Sequence, residues 1–329
     1  LDSYDIFSET MGMPEDPPPS ELTETDRIVK IVGDVFLTYL AGIAMITGII
    51  TSVLSLLLFR QDSRTSRSTR LLLSMVALSD FNLLVSVLFF YLVREAIPKD
   101  SHSKAFFEHP VVFSLLFYVS NVFELFRNWL LVVISFERLL FFIKPVEVKT
   151  FWRYQTVKAV IAGLVGFSLL ARLPSGVYAF TENFRPKPAD INRVSKLLHT
   201  ATDCVLLTSL PITLMTCICI VTTSRIHRFM RTKRRLKKVF ISFSLPSIPA
   251  SGLQFYIAYT DVRSSVLLWT MQILRAIGNF TSMLSSTSNF FVYIFQSKRY
   301  RAILAQILHL DKIYPRLKQE STITPASLR

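Results

Sequence analysis

Glu137 and Arg138 stand side by side in "VISFERLLFFIKP", residues 133–145, inside an otherwise oily run. They are one of several charged groups set in apolar sequence. Asp80 sits in "LLLSMVALSDFNLL". Glu124 and Arg127 precede the Glu137–Arg138 pair by about three turns, and Arg172, Asp203 and Arg275, with the neutral but polar Asn279, follow in later apolar stretches. Such groups could act as acids, bases or metal ligands, but the patterns such chemistry needs are missing. There is no His-Glu-x-x-His, no Gly-x-Ser-x-Gly, no phosphate-binding Gly-rich loop and no Cys/His cluster. The five histidines are scattered, so neither an enzyme nor a metal cofactor is expected. Charge pairing inside a low-dielectric medium is the chemistry these residues fit.

The surrounding elements say which medium. Of 329 residues, 51% are hydrophobic, 27 are Phe and only 9 are Gly. The apolar residues gather in seven blocks, at about 31–59, 71–93, 109–143, 155–180, 198–224, 239–260 and 264–295. Each is long enough to cross a hydrocarbon core of roughly 30 Å. An all-α, seven-transmembrane helix bundle occupying 31–296 follows. Behind it comes a short amphipathic helix over 297–310, where Lys298, Arg299 and Arg301 alternate with Tyr300, Ile303, Leu304 and Ile307. Residues 1–30 read as an acidic, proline-containing flexible tail, and 311–329 as a polar tail.

The net charge of +14 is not a nucleic-acid signature, because of where it lies. Arg60, Arg64, Arg67 and Arg70 follow the first span. Lys144, Lys149, Arg153 and Lys158 follow the third, and eight basic residues crowd 225–238. These are alternate loops, so the positive-inside rule makes that side cytoplasmic. The acidic N-terminus then lies outside a plasma membrane and the basic C-terminus inside. Anionic membrane lipid is a further partner of the basic runs. The three cysteines fall in or near the fifth span, leaving none for a loop-closing disulfide outside.

Helical spacing puts Asn121, Glu124, Arg127 or Asn128, Leu131, Ile134 or Ser135, and Arg138 on one stripe of the third span. This polar face should point into the bundle. Arg127 lies eleven residues deeper than Arg138, roughly 16 Å, and Asp80 nine residues beyond Leu71, roughly 14 Å. Equal depth predicts an intramembrane ion pair, with Glu124 as the rival partner for Arg127.

These motifs resemble a rhodopsin-like G-protein-coupled receptor over about residues 31–310. "FERLLFFIKP" matches the acid–Arg end of that family's third helix, with Leu139 in place of Tyr. "VALSD" matches its second-helix motif and "SNFFVY" its Asn-Pro-x-x-Tyr, with Phe290 for Pro. Pro211 matches the fifth helix, and "FISFSLP" retains Phe240 and Pro246 of the sixth. The resemblance implies that Glu137 restrains Arg138 in the resting state. On activation Arg138 meets a heterotrimeric G protein, with Tyr293 and Asn289 helping to hold that state and arrestin as a further cytoplasmic partner. It also implies an outward cavity drawing on Asn121, Glu124, Arg172, Asp203, Gln254, Arg275 and Asn279. There are departures too. Ser52 replaces the first-helix Asn, the fourth helix has no Trp, Phe113 stands where a disulfide Cys is usual, and Arg127 occupies a sodium-site position. They mark a divergent, invertebrate-type receptor. "NFFVY" resembles receptors for FMRFamide-like neuropeptides, with Glu124 taking a cationic ligand group. A chemosensory receptor for a small molecule, with Arg172 and Arg275 holding a carboxylate, is the alternative. A transporter is a third reading, weakened by the lack of an internal repeat.

Overall fold

The computed structural model describes residues 40–63, 65–89, 109–183, 189–227 and 265–308, and all regular structure among them is helical. Helix α1 (Ala41–Gln61) and α2 (Arg67–Leu88) run antiparallel, joined by a short turn. The turn is built by local polar chemistry. Asp62 accepts from the Thr65 backbone N–H and hydroxyl, and Ser66 caps α2 by accepting from Thr69 N at 3.2 Å. Helix α3 (Pro110–Ile143) opens on a proline, whose missing N–H costs nothing in a first turn. A short α4 (Pro145–Phe151) starts on Pro145. The expected fourth span is broken at Arg172 into α5 (Tyr154–Ala171) and α6 (Leu173–Asn183). The fifth is composite: α7 (Ala189–Thr202), a π-helical stretch Asp203–Ser209, then α8 (Leu210–His227). Helix α9 (Ser265–Gln296) carries the seventh span and α10 (Lys298–Ile307) the amphipathic segment. The sixth expected span, with Phe240, Pro246 and Gln254, lies outside the described residues, as do both tails.

Helix α3 is the central strut, packing against α2, α5, α6 and α8. Its Phe126 and Leu130 share a core with Leu72 and Val76 of α2, Trp152 beyond α4, Val157 and Ile161 of α5, and Met215 of α8. Helix α1 packs on α2, α9 and α10. Gly48 makes the approach of α1 to its neighbours possible: a Cβ there would lie 2.6 Å from Leu84 Cδ1 and 2.6 Å from Thr287 Oγ1. The outer faces are apolar. Ile43, Ile46, Ile50, Val53 and Leu57 of α1 are exposed at steps of three and four, an oily stripe turned outward. Four stretches, Gly42–Gln61, Arg67–Leu88, Tyr154–Thr181 and Val194–Thr222, have the length and apolarity to cross a bilayer. The chain is a multi-span, all-α membrane bundle.

Two of the crossings contain backbone breaks, and α3 side chains fill them. Pro211 cannot donate to the preceding turn. Leu207 O instead accepts from Asn128 Nδ2 at 3.1 Å, and Leu206 O from Trp129 Nε1 at 3.1 Å. Near the α5–α6 break, Tyr118 Oη donates to Leu169 O at 2.8 Å. Lipid supplies no hydrogen bonds, so a freed carbonyl at this depth must find a protein donor. The double variant Asn128→Leu/Trp129→Phe is expected to lose about 1–3 kcal/mol, the cost of leaving buried carbonyls bare. Reversible unfolding in detergent measures it, and unchanged stability would mean that other groups satisfy the carbonyls.

Candidate functional site

The charges converge on α3 at three heights. At mid-depth, Arg127 Nε is ion-paired with Asp80 Oδ1, and both side chains are buried. Asn289 Nδ2 donates to Asp80 Oδ2 at 2.9 Å. Arg127 also reaches Ser285 Oγ at 3.4 Å and Asn128 Oδ1 at 3.4 Å. Helices α2, α3 and α9 are thereby tied by one network, and the rival partner Glu124 is not in it. A small cavity of about 10 Å³ borders Asp80, lined also by Ser52, Ser55 and Tyr293. It has room for about one water. Because Phe290 stands where the resemblance has proline, α9 runs through this level without interruption.

Toward the α5–α6 break, Arg172 Nη1 is ion-paired with Asp203 of the π-helical stretch and lies 3.5 Å from Ser175 Oγ. His199 joins them: its Nε2 is 3.5 Å from Asp203 Oδ2 and its Nδ1 2.9 Å from Ser175 Oγ, while Tyr178 stacks on its ring. The Nε and Nη2 of Arg172 are buried and have no hydrogen-bond partner among the described residues. Glu124 lies within the fields of Arg172, Asp203 and Arg127 but makes no direct ion pair or hydrogen bond among the described residues. Asn121 spends its amide on Phe117 O of its own helix, at 2.8 Å. Phe113 stacks on Phe117 where the resemblance has a disulfide cysteine, and Cys204, Cys217 and Cys219 are not joined in a disulfide. Helix α9 carries Arg275 and Asn279 in its backbone, but their side chains lie outside the described set.

At the opposite end the helical stripe and the structure differ. The stripe turns Arg138 inward, whereas here Glu137 is fully buried and Arg138 exposed. The cause is packing: α2 and Trp152 close over the Glu137 side. Thr69 Oγ1 donates to Glu137 Oε1 at 2.7 Å, while Oε2 makes no hydrogen bond of good geometry among the described residues. Glu137 and Arg138 form no ion pair in this structure; the acid turns to Thr69. Tyr293 packs edge-on against Phe59, with ring centroids 5.3 Å apart, and lies near Tyr300.

Sequence reasoning missed Asn128 and Trp129 as backbone caps, His199 and Ser175 as members of the Arg172 cluster, and Thr69 as the partner of Glu137. Pro211 was the available signal for the first pair, since a proline within a crossing obliges a neighbour to donate. Nothing in the spacing of Thr69 pointed to residue 137.

The described residues form a helical membrane bundle with a charged cluster toward one end, a buried ion pair at mid-depth and an exposed basic residue toward the other. Residues 100–295 match the Srg family chemoreceptor. The chain belongs to that chemoreceptor family, a receptor family and not an enzyme family. No curated protein matches it in sequence.

Two outcomes follow from the mid-depth network. Asp80→Asn or Arg127→Gln alone strands one buried charge, at a cost of about 3–5 kcal/mol, whereas the double neutral variant costs less than either. Detergent unfolding of the three variants checks this, and strict additivity would mean that the pair is not coupled. Both Asp80 oxygens are occupied, so exchanging sodium for choline at constant ionic strength should leave the unfolding temperature unchanged. A shift specific to sodium would show that the ion still binds there.

Proposed function

We propose that the protein is a chemosensory receptor that takes an extracellular small molecule and signals to a heterotrimeric G protein. The acidic N-terminus is outside and the basic loops and C-terminus inside. The carrying observation is the single uninterrupted α3. It runs from the Glu124–Arg172–Asp203 cluster, through the Arg127–Asp80 pair, to Glu137 and Arg138. A ligand that binds one arrangement of the outer cluster better than another biases the whole rod, because a population shifts only by differential affinity. Glu124 is the group in that cluster with no direct partner among the described residues, and the outer ends of α3, α6 and α9 are the ligand-facing side in this reading. Arg138, exposed and without an ion pair among the described residues, is the contact offered to the G protein, with Tyr293 and Asn289 as the α9 elements that respond.

Membership of a chemoreceptor family supports a small molecule over a neuropeptide. The peptide reading rests on the acidic tail and on the "NFFVY" pattern. The test is nucleotide exchange on a co-expressed G protein, driven by a panel of small metabolites and, in a separate arm, amidated peptides. A response to a metabolite is expected. Arg138→Ala should lower the driven exchange by about tenfold or more, the loss of one charge-assisted contact, with cell-surface level unchanged. Glu124→Gln should shift the half-maximal concentration. Ligand uptake without exchange would make the protein a carrier, and a response to peptides alone would overturn the small-molecule reading.

A further inference from the structure

A cavity of about 390 Å³ opens where the α1–α2 turn, the end of α3 and the start of α10 meet. Its volume falls in the range of small-molecule sites, roughly 300–1,000 Å³. Arg138 and Arg299 line it, with Asp62, Thr65, Ser297 and Tyr300. Among the described lining residues there are two guanidiniums and one carboxylate, and that carboxylate is already engaged. Asp62 is 1% exposed and accepts from Arg299 Nη2, Thr65 N and Thr65 Oγ1. Arg138 has no ion pair or hydrogen bond among the described residues, because its neighbouring acid is buried against Thr69. The Ser297 hydroxyl oxygen accepts from Tyr300 N at 3.4 Å, which leaves its proton to donate. The first turn of α10 borders the space and adds the partial positive charge of a helix start.

Height in the bilayer restricts the occupant. Ile303, Leu304 and Ile307 of α10 pack against the Leu58–Phe59 core at the end of α1, so the cavity lies where a crossing meets the membrane surface. We infer that it binds the phosphorylated sugar headgroup of an anionic lipid in the leaflet on that side, with Arg138 and Arg299 holding the phosphate oxygens. A lone phosphate would leave most of the volume empty. Basic pockets between transmembrane helices at the cytoplasmic surface recognise such headgroups, and guanidinium forks match phosphate oxygens two at a time. The inference rests on the proposed orientation for calling that leaflet cytoplasmic. A lipid seated there occupies Arg138, the contact proposed for the G protein, so it would act as a competitor of coupling.

The experiment uses the full chain in phosphatidylcholine nanodiscs and reads the binding of a fluorescent phosphatidylinositol bisphosphate, with neither agonist nor G protein present. Saturable binding is expected, displaced poorly by phosphatidylserine at matched charge, by soluble inositol trisphosphate or by inorganic phosphate. Arg138→Gln should weaken it by about tenfold, one charge-assisted hydrogen bond, and Arg138→Lys by less. Asp62→Asn, which removes the one acid among the described lining residues and releases Arg299, should tighten it. That opposite sign cannot come from misfolding. Unchanged affinity in Arg138→Gln, or weaker binding in Asp62→Asn, overturns the site. Equal displacement by the soluble headgroup overturns the membrane source. A chain that binds the lipid but gives no agonist response would sink the coupling proposal and leave this one standing.

Discussion

Lipid offers no hydrogen bonds and little dielectric screening, and the structure is organised around that constraint. The buried pair of Arg127 and Asp80 is its sharpest expression. Either charge alone at this depth would carry a large desolvation penalty, so each is tolerable only because the other is present. Asn289 and Ser285 extend the pair to α9, and three helices acquire a fixed rotation about their axes. Burial of apolar surface cannot do this. Between helices in lipid it has little driving force, and packing and polar contacts must specify the arrangement.

The same constraint explains where the backbone departs from a regular helix. The π-helical stretch before Pro211 and the break at Arg172 both release carbonyls, and both face α3, which supplies Asn128, Trp129 and Tyr118. One side of each irregular segment lies against α3, and there the freed carbonyls find protein donors, as the energetics demand. The irregular segments also create the Arg172–Asp203 cluster. The α5–α6 break turns Arg172 toward Asp203, and the π-helical stretch begins on Asp203 itself. Bends that cost hydrogen bonds in one place therefore assemble charged groups in another. This ties that cluster to the same α3 that carries Arg138.

At the other end, the burial of Glu137 against Thr69 separates an acid and a base that are adjacent in the chain. Neighbours in a helix point about 100° apart. One can therefore face the packed interior and the other an aqueous cavity, and the packing of α2 and Trp152 decides which. Arg138 is thereby left as an available cation at the mouth of the bundle, beside an Arg299 held by Asp62. The docking of α10 against α1 rests partly on that second pair and partly on Phe59, Tyr293 and Tyr300.

Hydropathy and charge placement alone determined the medium, the all-α class and the amphipathic α10. These depend on what each residue is, and transfer into lipid is a local property of twenty-residue windows. The Asp80–Arg127 pair was also legible, because helical rise converts residue counts into depth and unpaired charges at equal depth must meet. Depth does not give azimuth. Which face of α2 lies toward Glu137, which α3 side chains reach Leu206 and Leu207, and how His199 joins Arg172 depend on helix rotation and on breaks in the crossings. Those quantities are settled only when all the neighbours pack at once, so tertiary structure decided them.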